Sequence, residues 1–475
     1  MDLIAHAPPT QLALVDGQRH YTYADLSAWS ERLAGRLQRA GARAGDVIGV
    51  AFGARGNSAA HVALIYALAR MEVVMLPLHA RLHPHEREEL ARSADCRFIL
   101  DEDWLDDATR HPIISPTAPD FNRAALRGVQ GIFFTSGTTG KPKGALLTFE
   151  AHIASARMVA ERLGAYATDR WLLNLPLYHV GGLAIVFRAA LAGAAIVLHS
   201  RFDPAQLSAA VAHDGISMMS LVPTTLYRWL EHDPSPRAPH LRAILLGGAA
   251  APPALLERAR QAGLPLAPTY GLTEAASQVA TATPSEAQRA PGSVGKPLTG
   301  NTIWIADEQG AKLPPGQIGE IVVQGPTLMR GYYRQPEATQ RALREGALFT
   351  GDFGYQDAQG YLWVVSRRED LIVSGGENVY PAEVEAVLCS HPAVQEACVF
   401  GVDDAEWGQR VAAAVVLRDG VVVKADALIG FVRERIAAYK APRQVFFVTE
   451  LPRNALGKVQ RSQIRAILTA HCAAR

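Results

Sequence analysis

The residues best suited to chemistry begin as an apolar strand and end as an anion cradle. They read Gly131-Ile-Phe-Phe-Thr135-Ser136-Gly137-Thr138-Thr139-Gly140-Lys141-Pro142-Lys143-Gly144. Glycine lets backbone N–H groups converge on an anion with no side chain in the way, and the hydroxyl and ammonium groups add donors. By composition this is a phosphate loop. It departs from the ordinary ATPase loop, GxxxxGK[ST], because Pro142 follows Gly140-Lys141 and Thr135 stands in place of the first glycine. A plain surface turn is the bland alternative, and ten such residues directly after a buried strand speak against it. A second oddity is VGGLAIVFRAALAGAAIVL, residues 180–198, nineteen residues with one charge, Arg188, at the middle. A central charge costs a membrane helix roughly 2.5–3.5 kcal/mol, and Gly193 divides the run, so it reads as a buried helix leading to a buried strand. Arg188 then needs a partner: a protein carboxylate or an anionic ligand.

TSGTTGKPKG closely resembles the signature of the adenylate-forming superfamily of acyl-CoA synthetases, peptide-synthetase adenylation domains and luciferases. Thr269-Tyr270-Gly271-Leu272-Thr273-Glu274 resembles its YGxTE motif, Thr350-Gly351-Asp352 its TGD, Arg367 the arginine of its GRxxD segment, and Pro452 to Lys458 its terminal lysine motif. The resemblance implies ATP, Mg²⁺ and coenzyme A as reactants and cofactor. Thr135, Ser136, Gly137, Thr138, Thr139, Gly140, Lys141 and Lys143 would hold the β- and γ-phosphates, and Thr273 would touch the α-phosphate. Glu274 would coordinate the metal, a hard cation that favours oxygen ligands. Asp352 would accept the ribose hydroxyls with Arg367 assisting, and Gly247, Gly248 and Ala249 would pass close to the adenine. Lys458 would bridge the acid and the α-phosphate, then leave as a small domain rotates about a hinge at Glu369 or Asp370. Many relatives have Asp where Glu369 stands, so either residue could be the pivot. The chemistry fits these roles. Attack of a carboxylate on the α-phosphate concentrates negative charge, so catalysis rests on positioning and neutralisation, with no general base required.

Ser374-Gly375-Gly376-Glu377-Asn378-Val379-Tyr380-Pro381 resembles the loop that lines the pantetheine tunnel of CoA ligases, with Gly375 and Gly376 leaving room for the thin arm. For the acid, LPLYHVGGLAIVFRAALAGAAIVLHSRF and YGLTEAASQ look most like the o-succinylbenzoate–CoA ligases of menaquinone biosynthesis. There a basic residue at the position of Arg188 meets the aromatic carboxylate. His179 matches the family's gate to the acyl pocket, with a core histidine as the alternative reading. Gly248, Ser277 and Gln278 complete the expected acid site. A ligase for another aryl or medium-chain acid is the nearest rival. A non-catalytic relative would require loss of Lys458, Glu274 or Asp352, and all are present.

These groups need a scaffold. Up to about residue 300, helical and strand patterns alternate. Leu26, Trp29, Leu33 and Leu37 share one helical face, Val47, Ile48 and Val50 form a short strand, and apolar strands are expected at 131–134, 195–198 and 243–246. From 301 period-two alternation and Gly/Pro turns indicate a small antiparallel sheet or barrel. After residue 370 comes a compact unit with a helix from Pro381, another through Leu428, Phe431, Val432 and Ile436, and strands VQEACVF, VAAAVVL and QVFFV. The expectation is an α/β protein: a large N-terminal domain (1–366) of α/β subdomains plus a β-barrel-like part, a hinge (367–370) and a small mobile α+β C-terminal domain (371–475). Bulk composition agrees with a globular enzyme. Lys plus Arg (47) balance Asp plus Glu (46), so nothing points to nucleic acid. The four cysteines make no CxxC pair and no secretory signal is visible, which suggests a cytoplasmic, non-spanning protein, with a homodimer left open.

Overall fold

The computed structural model describes residues 1–475 apart from 53–54, 80–81, 107–112, 115–125, 137–141, 250, 252, 308, 367–371, 380, 453–458, 460 and 474–475. Contacts divide the chain into one unit of residues 1–80, 88–134 and 144–366 and another of 81–87, 135–143 and 367–475.

In the first unit a nine-stranded sheet carries the parallel run Leu266–Leu272, Ala243–Leu246, Met218–Leu221, Arg170–Leu173, Ala195–Leu198 and Leu12–Asp16. Short apolar strands such as AILL and AIVL are buried throughout, as helices covering both faces of a parallel sheet require. Antiparallel Ser277–Thr281 pairs with Leu266–Leu272 at one end. A six-stranded sheet runs Ile113–Ile114, Phe98–Leu100, Val47–Ala51, Val74–Leu78, Val129–Ser136, Pro142–Thr148. The helix Tyr23–Arg39 starts at a reciprocal capping box between Thr22 and Asp25 and buries Leu26, Leu33 and Leu37. A third, five-stranded sheet is antiparallel: Thr302–Ala306 pairs with Gly319–Gln324, and that strand with Ala347–Gln356. Leu343–Arg344 and Leu362–Ser366 both pair with Ala347–Gln356, so among the described strands this sheet stays open and does not close into a barrel.

In the second unit the hairpin Val394–Asp404/Gly408–Leu417 takes Gln444–Phe447 as a parallel neighbour. The helix Pro381–Cys389 packs on this hairpin, and Lys440 Nζ donates to Glu383 on it at 2.6 Å. Arg461, opening the helix Arg461–Ala473, donates to Val399 O and to Glu385, both at 2.8 Å. The helix expected to run through Ile436 ends at Arg433, because Glu434 caps it and a short 3₁₀ turn, Ala438–Lys440, follows.

The apolar run around Arg188 is a 13-residue helix, Val180–Ala192, followed by the strand Ala195–Leu198. It ends at Gly193, whose left-handed φ of 64° suits glycine at a helix C-terminus. No described helix is long and apolar enough to cross a membrane.

Candidate active site

Open parallel sheets present their ligand crevices beyond the carboxyl ends of the strands, and several motif residues sit there. Gly247, Gly248 and Ala249 follow the strand Ala243–Leu246 directly, and Thr273 and Glu274 follow Leu266–Leu272. The glycines also have local reasons. A Cβ on Gly247 would lie 2.7 Å from Thr269 Cγ2, and Gly248 takes a φ of 84°.

Glu274 lies on a single 3₁₀ turn, Thr273–Ala275, and is 4% exposed. The Tyr332 hydroxyl donates to its Oε1 at 2.8 Å, and Met329 N–H donates to its backbone carbonyl at 2.7 Å. Tyr332 is in turn placed by the strand Pro142–Thr148. Ala145 bridges Tyr332, Leu146 N–H donates to Gly331 O at 2.9 Å, and Tyr333 N–H donates to Gly144 O at 2.7 Å. The chain entering and leaving the cradle is held as two neighbouring strands, and the Thr135 hydroxyl reaches Lys143 O at 3.4 Å. Gly137, Thr138, Thr139, Gly140 and Lys141 lie outside the described residues.

A second tyrosine–carboxylate pair belongs to the same unit. Tyr270 Oη donates to Asp352 Oδ2 at 2.7 Å, with both residues buried. Thr350 is structural: its hydroxyl donates to Ile321 O at 2.7 Å and accepts from Asp352 N–H at 3.1 Å. Each motif carboxylate is thereby oriented by a neutral phenol, which fixes its direction without neutralising its charge. Tyr270 belongs to the expected motif. Tyr332 does not, and no spacing in the sequence links it to Glu274.

Past Glu274 the backbone is strained. Ala276 and Ser277 have φ of 48° and 95°, where non-glycine residues are rare. A Cβ on Gly271 would come within 1.7 Å of Ser277 O, so Gly271 allows the strand to fold back this tightly. The return strand Ser277–Thr281 carries Gln278, 4% exposed, whose amide donates to Thr269 Oγ1 at 2.9 Å and Thr281 Oγ1 at 3.2 Å. Its Oε1 accepts a short hydrogen bond from Arg188 Nη2.

Arg188 is 5% exposed and its guanidinium stands 5.5 Å from the Trp171 ring centroid. Among the described residues it forms no ion pair, and its Nε has no protein acceptor. Burial pulls its pKa from 12.5 to about 9. The partner required of a buried cation is therefore not a described carboxylate. Its helix is held by the preceding loop, where Asn57 Nδ2 donates to Leu175 O at 2.8 Å and Leu177 N–H donates to Asn57 Oδ1 at 3.1 Å. The neighbouring helix Phe149–Leu163 is stapled to the Gln278 strand through Arg162, which donates to Thr281 O at 2.9 Å.

His179 caps the amino end of the Val180–Ala192 helix. It is exposed, with ring centroids 4.8 Å from Tyr178 and 5.9 Å from His79, so it is not a core histidine. Gly375 and Gly376 form the two-residue turn between Ile372–Ser374 and Glu377–Val379, with φ of 61° and 82°. A tight hairpin turn of this kind needs positive φ at both positions. Trp407 also packs where a Gly375 Cβ would lie, at 2.6 Å, so these glycines are required by the turn and not only by space for a ligand. Arg367, Glu369, Asp370 and Lys458 lie outside the described residues.

This fold and these carboxylates define an adenylate-forming architecture, and comparison with known proteins agrees: residues 2–333 match the AMP-binding enzyme family and residues 383–458 match the AMP-binding enzyme C-terminal domain. The chain belongs to the AMP-binding enzyme family. It is 40% identical over 476 residues to a 2-succinylbenzoate–CoA ligase of Geobacillus kaustophilus, covering 98% of this chain and 96% of that one. It is 37% identical to the corresponding ligase of Bacillus subtilis over 97% of this chain and 96% of the relative. Among solved structures, a double mutant of o-succinylbenzoate CoA synthetase (MenE) from Bacillus subtilis, bound with its product analogue OSB-NCoA, superposes with a TM-score of 0.89 at 37% identity, covering 98% and 97% of the two chains. The same enzyme in complex with the acyl-adenylate intermediate OSB-AMP gives 0.71 at 36% identity, with 98% of both chains covered.

Proposed function

We propose that this enzyme joins 2-succinylbenzoate to coenzyme A with ATP, as an AMP-forming acid–thiol ligase, a step of menaquinone biosynthesis. In the first half-reaction the acid's carboxylate oxygen attacks the α-phosphorus and pyrophosphate leaves, giving the mixed anhydride. In the second the thiol attacks the acyl carbon, AMP leaves, and the thiol proton goes to solvent.

The single observation that carries the choice of acid is Arg188. It is a buried cation whose hydrogen-bond partner among the described residues is a neutral amide, on the element next to the motif strand. A monocarboxylic acid spends its one charge at the α-phosphate. A dicarboxylic acid brings a second carboxylate that pairs with the guanidinium and repays its desolvation. Gln278 then acts as the relay that keeps the guanidinium in place before the acid enters.

ATP's ribose would be taken by Asp352, held by Tyr270. The carboxylate of Glu274, buried and oriented by the Tyr332 hydroxyl, is a fitting hard-oxygen donor for Mg²⁺. Bound there, the cation would supply neutralisation of the triphosphate charge. Lys458 would meet the acid and the α-phosphate, and His179 would gate the acyl pocket. Gly375 and Gly376 would border the pantetheine arm, with Glu369 or Asp370 as pivot. A cytoplasmic placement and a homodimer go with this reading.

The test is a panel of acids scored by pyrophosphate release with and without coenzyme A. The reading expects 2-succinylbenzoate to rank first and to need both carboxylates. If benzoate or octanoate ranks above it, the choice of acid is wrong while the ligase chemistry stands.

A further inference from the structure

Between the helices Phe149–Leu163 and Val180–Ala192 lies a cavity of about 440 Å³ that shares one residue, Arg188, with the roles above. That volume suits a small organic molecule, for which sites of about 300–1,000 Å³ are usual. Ala160 on the first helix and Gly164 just past its end leave the space open, and Trp171 contributes to the wall. The charged lining is all of one sign. Among the described residues, Arg157 stands exposed at the rim without an ion pair, and no aspartate or glutamate contributes to the wall. His6 adds a ring whose Nε2 meets Leu191 O at 3.2 Å.

The wall also includes Arg188, 5% exposed, with Nε lacking any acceptor among the described residues. Of the residues assigned to the acid site, Arg188 alone reaches this cavity. His179, Gly248, Ser277 and Gln278 do not line it. A guanidinium offers five donors in a rigid fork, so one arm on Gln278 leaves others for a second acceptor.

We propose that this cavity is a second, regulatory site for a small planar aromatic carboxylate. The ring lies against Trp171, the carboxylate takes the guanidinium of Arg188, and Arg157 attracts it at the rim. The flat apolar wall selects an aromatic body over inorganic anions, and the cationic lining selects an acid over a neutral arene. An occupant competes for the same guanidinium as the acid substrate, raising the apparent KM for that acid and leaving kcat unchanged. That competition rests on the substrate reading above. Binding to the cavity does not.

Benzoate is the probe, titrated calorimetrically into the full-length wild type, Ala160→Leu and Arg157→Glu. The wild type is expected to bind it in the millimolar range or better. Ala160→Leu, which fills the cavity, should weaken binding at least tenfold, and Arg157→Glu several-fold, with kcat for 2-succinylbenzoate unchanged in both. Should Ala160→Leu not fold, the exposed Arg157→Glu carries the comparison. Wild-type affinity in both variants would place benzoate in the acid pocket and overturn the proposal, as would no binding to the wild type at 20-fold this range. A benzoate effect on KM that persists in Ala160→Leu would overturn the competition. The acid panel separately decides the substrate reading.

Discussion

Replacing Arg188 by methionine should make the protein a worse enzyme without making it less stable. Burial holds the guanidinium pKa from 12.5 down to about 9. At about 1.4 kcal/mol for each factor of ten, the protonated side chain costs the folded state on the order of 5 kcal/mol. Its bond to Gln278 offsets about 1.5–3 kcal/mol, the usual worth of a hydrogen bond from a charged group. Methionine is close in length, carries no charge and can lie against Trp171. It removes the desolvation term but leaves Gln278 Oε1 without its donor, a loss of about 1–3 kcal/mol. The two nearly balance, so thermal or urea unfolding should show a Tm unchanged or raised by a few degrees. Catalysis should respond differently. Truncating one partner of a buried, hydrogen-bonded charge pair costs about 2–5 kcal/mol, which is about 30-fold to several thousand-fold in kcat/KM for 2-succinylbenzoate. Continuous pyrophosphate release measures it, with octanoate as a control acid that should lose little. A Tm several degrees lower together with unchanged kcat/KM for the dicarboxylate would refute this reasoning and make Arg188 a structural residue.

Other outcomes follow from the same geometry. Tyr270→Phe removes the hydroxyl that orients Asp352 and should raise the KM for ATP about 5- to 20-fold with little change for the acid; an unchanged KM for ATP would detach Asp352 from the nucleotide. Tyr332→Phe should raise the Mg²⁺ concentration for half-maximal rate several-fold through Glu274, and a titration of rate against Mg²⁺ checks this. Lys458→Ala should abolish acid-dependent pyrophosphate release yet spare thioester formation from preformed acyl-adenylate, and equal loss of both half-reactions would contradict the role. The pH dependence of stability centres on two buried histidines. Burial lowers His152 from 6.5 to about 3 and His61 from 6.5 to about 4. Below pH 6.5 the unfolded chain takes up protons that the folded chain refuses, so stability falls as pH drops, by about 1.4 kcal/mol per pH unit for each group until its folded value is reached. His152→Phe, placed against Phe187, should remove one proton's worth of that slope in urea unfolding between pH 6.5 and 4.5.

The chemistry of this chain was legible in one dimension wherever neighbouring residues act together. The loop from Thr135 to Lys143 declares itself because its glycines, hydroxyls and lysines are adjacent, the composition expected of a phosphate cradle. The strands at 195–198 and 243–246 declare themselves because a strand buried on both faces must be apolar throughout. Arg188 was visible as a charge in the wrong place. Its circumstances were not, because they depend on groups far away in the chain: Gln278 ninety positions on, Trp171 beneath it, and the absence of a described carboxylate. Tyr332 was invisible for the same reason, since only strand pairing between 144–146 and 330–333 brings its hydroxyl to Glu274. Gly375 and Gly376 were noticed as space for a ligand, whereas the backbone shows that a turn with two positive φ angles needs them as well. Residue types and spacing thus determined which reaction the protein can perform. The tertiary structure decided how its carboxylates are aimed and that its buried cation finds no counter-charge among the described residues, because orientation and desolvation depend on groups that only folding brings together.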